Sequence, residues 1–216
     1  MHPADDTLTE DGWTTAVERP RVTLIACGAL AREILALQRA NGWEWMALAC
    51  LPAKLHNTPE LIPDAVRGEI HEARAEGASA IYVVYADCGT GGLLDRVCEE
   101  EGVPRIAGPH CYSFFAGNDA FAATAEGEDM TAFFLTDFLV RQFDTLIWKG
   151  FGLDRRADMR DMLFGHYTKV VYLVQAPDPE LDARAEEAAA RLGLAYERRE
   201  TGYGDLTGFL AEAGRA

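Results

Sequence analysis

Five cysteines, at positions 27, 50, 88, 98 and 111, are the residues of this sequence best equipped for chemistry. Their odd number, with no basic and apolar export signal in MHPADDTLTEDGW, argues against a disulfide framework. Three readings remain: small buried hydrophobes, metal ligands, or a reactive thiolate. Thiolates bind zinc at about 2.3 Å and also hold iron–sulfur clusters. Imidazole is a regular companion ligand, and the sequence offers His110 beside Cys111 and His56 between Cys50 and Cys88.

A parallel sheet is what would bring such residues together. RVTLIACGAL (21–30) reads as a buried strand broken by Gly28, and AREILALQRANG (31–42) as the helix after it. EWMALACLP (44–52) gives a second strand, AKLHNT (53–58) a loop, and residues from Pro59 to about Gly77 a helix. ASAIYVVYADCGTGG (78–92) is a third strand with a glycine-rich exit, LLDRVCEEEG (93–102) a short helix, and VPRIAGPHCYSFF (103–115) a fourth strand stopping near Gly108 and Pro109. Residues 117–167 hold no clear strand; 131–152 and 156–167 have helical spacing. Strand 168–177, helix 178–194, strand 195–201 and a helix near 204–213 complete the chain. The expected fold is a doubly wound α/β domain over 21–216, with a mainly parallel sheet of five or six strands, a helical insertion at 117–167 and a loose arm over 1–20.

On this reading Cys27, Cys50 and Cys88 end the first three strands, and Cys111 follows the fourth. Ligands of open parallel sheets bind beyond the carboxyl ends of the strands, where the strand order reverses. With the order 2-1-3-4-5, Cys27 and Cys88 sit on adjacent strands, about 4.8 Å apart, at that switch point. Cys27, Cys88 and Cys111, with His56 or His110, are therefore the expected metal set, and zinc or an iron–sulfur cluster the expected cofactor. The alternative, buried strand-end thiols, stays open. Cys98 lies within a helix and reads as core; His2, His71 and His166 carry no signal of their own.

Two further features adjoin this edge. In DCGTGG (87–92), the backbone N–H groups of Gly89, Thr90 and Gly91 could cradle an anion at a helix start, or simply make a tight turn. Glu33, in the first turn after Cys27, suits a general base or a carboxylate supporting a ligand; equally, it complements a helix N-terminus. The sequence contains no G-x-S-x-G and no H-E-x-x-H.

Charge narrows the partners. With 35 acidic against 20 basic residues the net charge is −15, and no basic cluster interrupts it. Such a surface repels phosphate backbones and anionic lipid, so neither nucleic acid nor a membrane is expected. No apolar run approaches the roughly 18 residues of a membrane span. A cytoplasmic protein with a small-molecule substrate is the expectation. The aromatic residues of 117–167 suit a lid or a surface between two copies of the chain.

Taken together, CGALAREI (27–34), LPAKLHNTP (51–59), YADCGTGG (85–92), HCYSFFAG (110–117) and TAFFLTDFL (131–139) resemble the family catalogued as domain of unknown function 1638. The resemblance spans roughly residues 21–200. It transfers no catalytic residue. Members are often encoded beside corrinoid methyltransferases and corrinoid proteins, which implies a place near one-carbon transfer from methylated amines and such a protein as a partner. The leading expectation is thus a metal-binding enzyme or accessory protein of that metabolism. Two others stand beside it: a non-catalytic module for a corrinoid or folate-like ligand, and a thiol enzyme whose nucleophile, Cys88, is activated at a helix N-terminus.

Overall fold

The computed structural model describes residues 3–18, 20–125, 127, 129–156 and 158–216; His2 lies outside them. The chain divides into two compact units, one of residues 1–114 with 205–216 and one of 115–204.

The first unit is built on β2 (Val22–Cys27), preceded by β1 (Trp13–Thr14) and followed by β3 (Ala47–Leu51) and β4 (Ala80–Val84). The sheet order is β1-β3-β2-β4, parallel apart from β1, which pairs antiparallel with β3. All six residues of β2 are buried, as expected for a parallel strand covered on both faces. Helix α1 is Asp5–Glu10, α2 (Ala31–Asn41) joins β2 to β3, and α3 (Ile62–Ala75) joins β3 to β4. These two crossovers run in opposite directions from β2, so right-handed connections place α2 and α3 on opposite faces. The order of the three parallel strands is the one expected from sequence, and the switch point falls between β2 and β4.

Residues 3–18 do not form a loose arm. Leu8 of α1 is fully buried, Asp5 pairs with Arg32 at 2.8 Å, and Trp13 stands opposite Cys50 on the sheet edge. Gly28 allows this closeness: a Cβ there would lie 2.3 Å from the Leu8 carbonyl oxygen. The fourth strand shrinks to one bridge, Val83 with Arg105. Pro104 and Pro109 have no N–H to extend a ladder, and the chain passes instead into α5 (Cys111–Ala116) after α4 (Leu93–Glu101).

The second unit overturns the single sheet of five or six strands. It has its own three-stranded parallel sheet, β5-β6-β7, of Ala132–Thr136, Lys169–Val174 and Ala195–Glu200. Strand β5 lies in the segment expected to be helical throughout. It runs directly into α7 (Asp137–Arg141), after α6 (Asn118–Ala125), so one apolar stretch holds two periodicities. Short buried strands cannot be told from helix by periodicity alone. Helices α8 (Asp158–Phe164) and α9 (Pro179–Leu192) follow, and the apolar face of α9 packs with Tyr172, Val170 and Phe143 in one core. Buried Asp137 ties the strand ends together: its carboxylate accepts from the Tyr172 hydroxyl at 2.8 Å and from the Ala176 N–H at 3.1 Å. Among the described residues no helix is long and apolar enough to cross a membrane.

Asp129, also buried, accepts from Arg199 at 2.8 Å and pairs with Lys169 at 3.0 Å. The Arg199 hydrogen bonds, with Lys169 added, outweigh burial and hold this carboxyl at about 2. A carboxyl depressed in the folded state stabilises above its ordinary value and loses that contribution as pH falls through the folded one. Asp129→Asn should therefore destabilise the second unit by about 2 kcal/mol at neutral pH. Urea unfolding across pH should show the gap to wild type closing between about 4 and about 2; a gap independent of pH would refute the role given to the ionised carboxylate.

Candidate functional site

The carboxyl edge of the first unit's sheet carries the cysteines. Cys27 is the last residue of β2, and the register pairs Ala26 with both Cys50 and Val84. Side chains alternate along a strand. Cys50 and Val84 thus share the face of Ala26, while Cys27 and Tyr85, one residue past Val84, share the other. Cys50, outside the expected set, is on the face opposite Cys27. Burial first of all, then Cys27, Glu69 and Glu33 within electrostatic reach, keeps its thiol well above the usual range. Glu33 is buried in the first turn of α2, on the Cys50 side of this division. Cys98 is buried in α4, and burial pushes its thiol up to about 11.

Cys88 is brought over by the backbone. Its N–H donates to the Pro109 carbonyl at 2.9 Å, and the Asp87 N–H donates to the Gly108 carbonyl at 3.0 Å. The stretch leading to Cys111 therefore lies alongside Cys88. The Cys88 sulfur is within hydrogen-bonding reach of the Cys111 thiol and, ahead of burial, keeps it well above its usual range. Burial, with Cys111 adding to it, pushes Cys27 up to about 12. Without a metal, Cys27 and Cys111 are neutral thiols at physiological pH.

Cys88 has φ 48, the one non-glycine residue among those described in the left-handed region. A side chain in that conformation costs about 1–2 kcal/mol. Its surroundings enforce it. Asp87, next to it, accepts from the Thr90 hydroxyl at 2.5 Å and from the N–H groups of Gly91 and Gly92 at 3.2 and 2.8 Å. Burial would raise this carboxyl, but these bonds and one from Gly89 outweigh it and hold it below its ordinary value. The anion cradle expected at Gly89, Thr90 and Gly91 is thus filled by the chain's own carboxylate. Helix α4 begins at Leu93 with Gly92 as its cap, so Cys88 is not at a helix N-terminus, where the thiol-enzyme reading placed it.

One polar atom at this edge, His110 Nδ1, is buried without a hydrogen-bond partner. The Tyr85 hydroxyl is buried as well and lies within hydrogen-bonding reach of the Cys27 thiol. His110 stacks on Tyr112 at 4.8 Å. Burial first, then His56 nearby, lowers its pKa, with Asp87 opposing. His56 is exposed, in a short 3₁₀ turn over Ala53–Asn57, and faces Cys111 as well. His71 pairs with Glu101 at 3.1 Å and His166 packs on Tyr167, both away from these residues in sequence and setting. Sequence reasoning passed over Asp87 and Tyr85. An aspartate followed by Gly-Thr-Gly-Gly is a readable turn signal, whereas nothing distinguishes Tyr85 until the strand register is known.

The donors are right in kind for a soft or borderline metal. Among the described residues, however, no group of three or more His, Cys, Asp or Glu side chains stands ready to hold an ion. Any ion has to draw the thiols inward as they ionise.

Removing the Asp87 carboxylate should release the loop. Asp87→Ala is expected to cost on the order of 2 kcal/mol, from charge-assisted hydrogen bonds lost, and to speed alkylation of Cys88 in the folded protein. Unfolding titrations and mass-resolved labelling by iodoacetamide measure both; unchanged labelling would show that Asp87 does not hold Cys88 in place.

Against family models, residues 50–210 match a family described only as a protein of unknown function, DUF1638. The matched span includes His56, Cys88, His110 and Cys111 and begins after Cys27 and Glu33. No curated protein and no solved structure matches the chain. With three quarters of its length inside that match, the chain belongs to the DUF1638 family of proteins of unknown function.

Proposed function

We propose that the protein binds a metal ion through Cys27, Cys88 and Cys111 and serves, as enzyme or accessory protein, in corrinoid-linked one-carbon or methylamine metabolism. The observation that supports the reading is the closeness of Cys88 to Cys111, with Cys27 within electrostatic reach of Cys111 and the unpartnered Nδ1 of His110 in the adjacent residue. His110, through the buried Nδ1, or His56, from the rim, completes the set. Zinc is the ion proposed first; an iron–sulfur cluster is the alternative for the same thiols.

Each residue then has a task. The loop held by Asp87 fixes Cys88, and the segment behind Pro109 delivers Cys111 beside it. Burial of Cys27 and Cys88 keeps water from the sulfurs, and it keeps the Cys27 thiol protonated until an ion displaces the proton. Neutral His110, its pKa lowered by burial, is in the form that donates a lone pair. When bound, zinc with an open position would acidify a substrate thiol or water. The link to methyl transfer rests on the family resemblance alone and is chemically consistent with such an acidified thiol.

The reading is tested on protein purified without oxygen, by elemental analysis of wild type, Cys88→Ser and Cys98→Ser. About one zinc per wild-type chain is expected, falling at least tenfold in Cys88→Ser because a serine hydroxyl is a poor, rarely ionised donor. Cys98→Ser should keep its metal, since that thiol is in the helix core. Stoichiometric iron with acid-labile sulfide would instead establish the cluster. Wild type without zinc or iron, even after reconstitution, would overturn the proposal.

A further inference from the structure

Cys88 and Cys111 are neighbours across two segments that the backbone locks together. The N–H groups of Asp87 and Cys88 donate to the carbonyls of Gly108 and Pro109 at 3.0 and 2.9 Å, so the two segments lie side by side just before Cys111. Asp87 fixes the first through Thr90, Gly91 and Gly92. The Ser113 hydroxyl, donating to the His110 carbonyl at 2.7 Å, fixes the second. Within this frame the Cys111 S–H and the Cys88 sulfur are hydrogen-bond partners. No other cysteine is placed in this way among those described. Cys27 lies within electrostatic reach of Cys111, but the hydrogen bonds of its sulfur are with the Ala29 N–H and the Tyr85 hydroxyl. Cys98 is in the helix core, and Cys50 is on the opposite face from Cys27. All five are reduced, and Cys111 is the one that is only half-buried. Rotation about the side-chain bonds brings two sulfurs in such contact toward the roughly 2.05 Å of a disulfide.

We infer that Cys88 and Cys111 form a redox-active dithiol, closed reversibly to a disulfide by small hydroperoxides. The inference does not rest on the metal reading above. A reversible pair of this kind differs from a structural framework and is the form that disulfides take in reducing compartments. With hydrogen peroxide, the Cys88 sulfur attacks one peroxide oxygen and the O–O bond breaks. The departing hydroxide takes the Cys88 thiol proton and leaves as water, and Cys88 becomes a sulfenic acid. Cys111 is already in contact as the resolving thiol. Its sulfur attacks the Cys88 sulfur, the S–O bond breaks, and the hydroxyl leaves with the Cys111 proton as a second water. Two thiols have then lost two electrons, and one peroxide has been reduced to two waters. Two molecules of a small thiol reopen the bond by exchange and leave as their own disulfide. The left-handed backbone at Cys88 favours that return, since strained disulfides are the readily reduced ones.

The test uses the full chain, washed with a chelator so that metal plays no part, and treated with hydrogen peroxide in its folded state. Free thiols are then blocked with N-ethylmaleimide, and the protein is digested and mapped by mass spectrometry. The expected product is a peptide pair joined through Cys88 and Cys111, lighter by two hydrogens. Labelling at both positions should be lost, and dithiothreitol should restore it. The wild-type map decides the matter even if a variant fails to fold. Cys27→Ser and Cys98→Ser should keep the crosslink, and Cys88→Ser and Cys111→Ser should abolish it. Peroxide-treated wild type with both thiols still labelled would overturn the inference. So would a crosslink from Cys111 to Cys27, or oxidation of Cys88 to the sulfinic acid without a crosslink. Zinc uptake by a protein that never forms the crosslink overturns this inference and leaves the metal reading standing. The crosslink in a protein that takes up no metal does the reverse.

Discussion

Strand β2 is buried along its whole length and has a parallel neighbour on each side, and the thiol edge follows from that constraint. A strand so placed has its backbone groups satisfied laterally, so its position in the sheet cannot shift without breaking two ladders at once. Its two neighbours are reached by crossovers in opposite senses, which opens a crevice at its carboxyl end. Cys27 occupies that end. The ladder with β4 fixes how far along Tyr85 and then Cys88 must lie. The desolvation that stabilises the strand also raises the Cys27 thiol to about 12, so packing and reactivity have one cause.

The two units treat the carboxyl ends of their strands differently. In the second, Tyr172 has a buried aspartate to donate to, and the same carboxylate collects the backbone N–H groups of Gln175 and Ala176. That edge is electrostatically closed. In the first unit the only carboxylate at the loop, Asp87, spends its lone pairs on Thr90, Gly91 and Gly92. Tyr85 has only the Cys27 thiol within reach, and His110 Nδ1 is left buried and unsatisfied. Native proteins rarely tolerate such atoms, and here one occurs beside Cys111.

The sequence made part of this legible. Alternating apolar runs and amphipathic stretches up to residue 102 reveal β2, β3, β4 and their helices, and the strand order predicts which cysteines become neighbours. The face each cysteine occupies depends on register, a one-residue matter that puts Cys50 on the opposite face from Cys27. Strand β5 was hidden because Phe133, Phe134 and Leu135 run without a break into Phe138 and Leu139, where the period changes from strand to helix. The helical insertion and the single sheet failed together on that point. Asp5–Glu10 looked like a polar arm because its apolar contribution is mainly Leu8, and its packing depends on the missing side chain at Gly28, far along the chain. At the site, ligand types were readable, but the filled cradle of Asp87 was not, since glycine-rich loops look alike whether they await an anion or already hold one.

The left-handed backbone at Cys88 has a consequence for how this position would behave under random mutation. Glycine is one base change from either cysteine codon, and glycine is the residue that a φ of 48 suits. Most sites where a functional side chain sits in the core confound two selections, because every replacement also harms folding. Position 88 uncouples them. In a deep mutational scan scored for cellular abundance, glycine should rank among the best-tolerated replacements there, whereas under the proposed metal role a scan scored for the protein's biological task would rank it with the nulls. The distance between those two rankings reads out what the sulfur does, independently of what the fold requires.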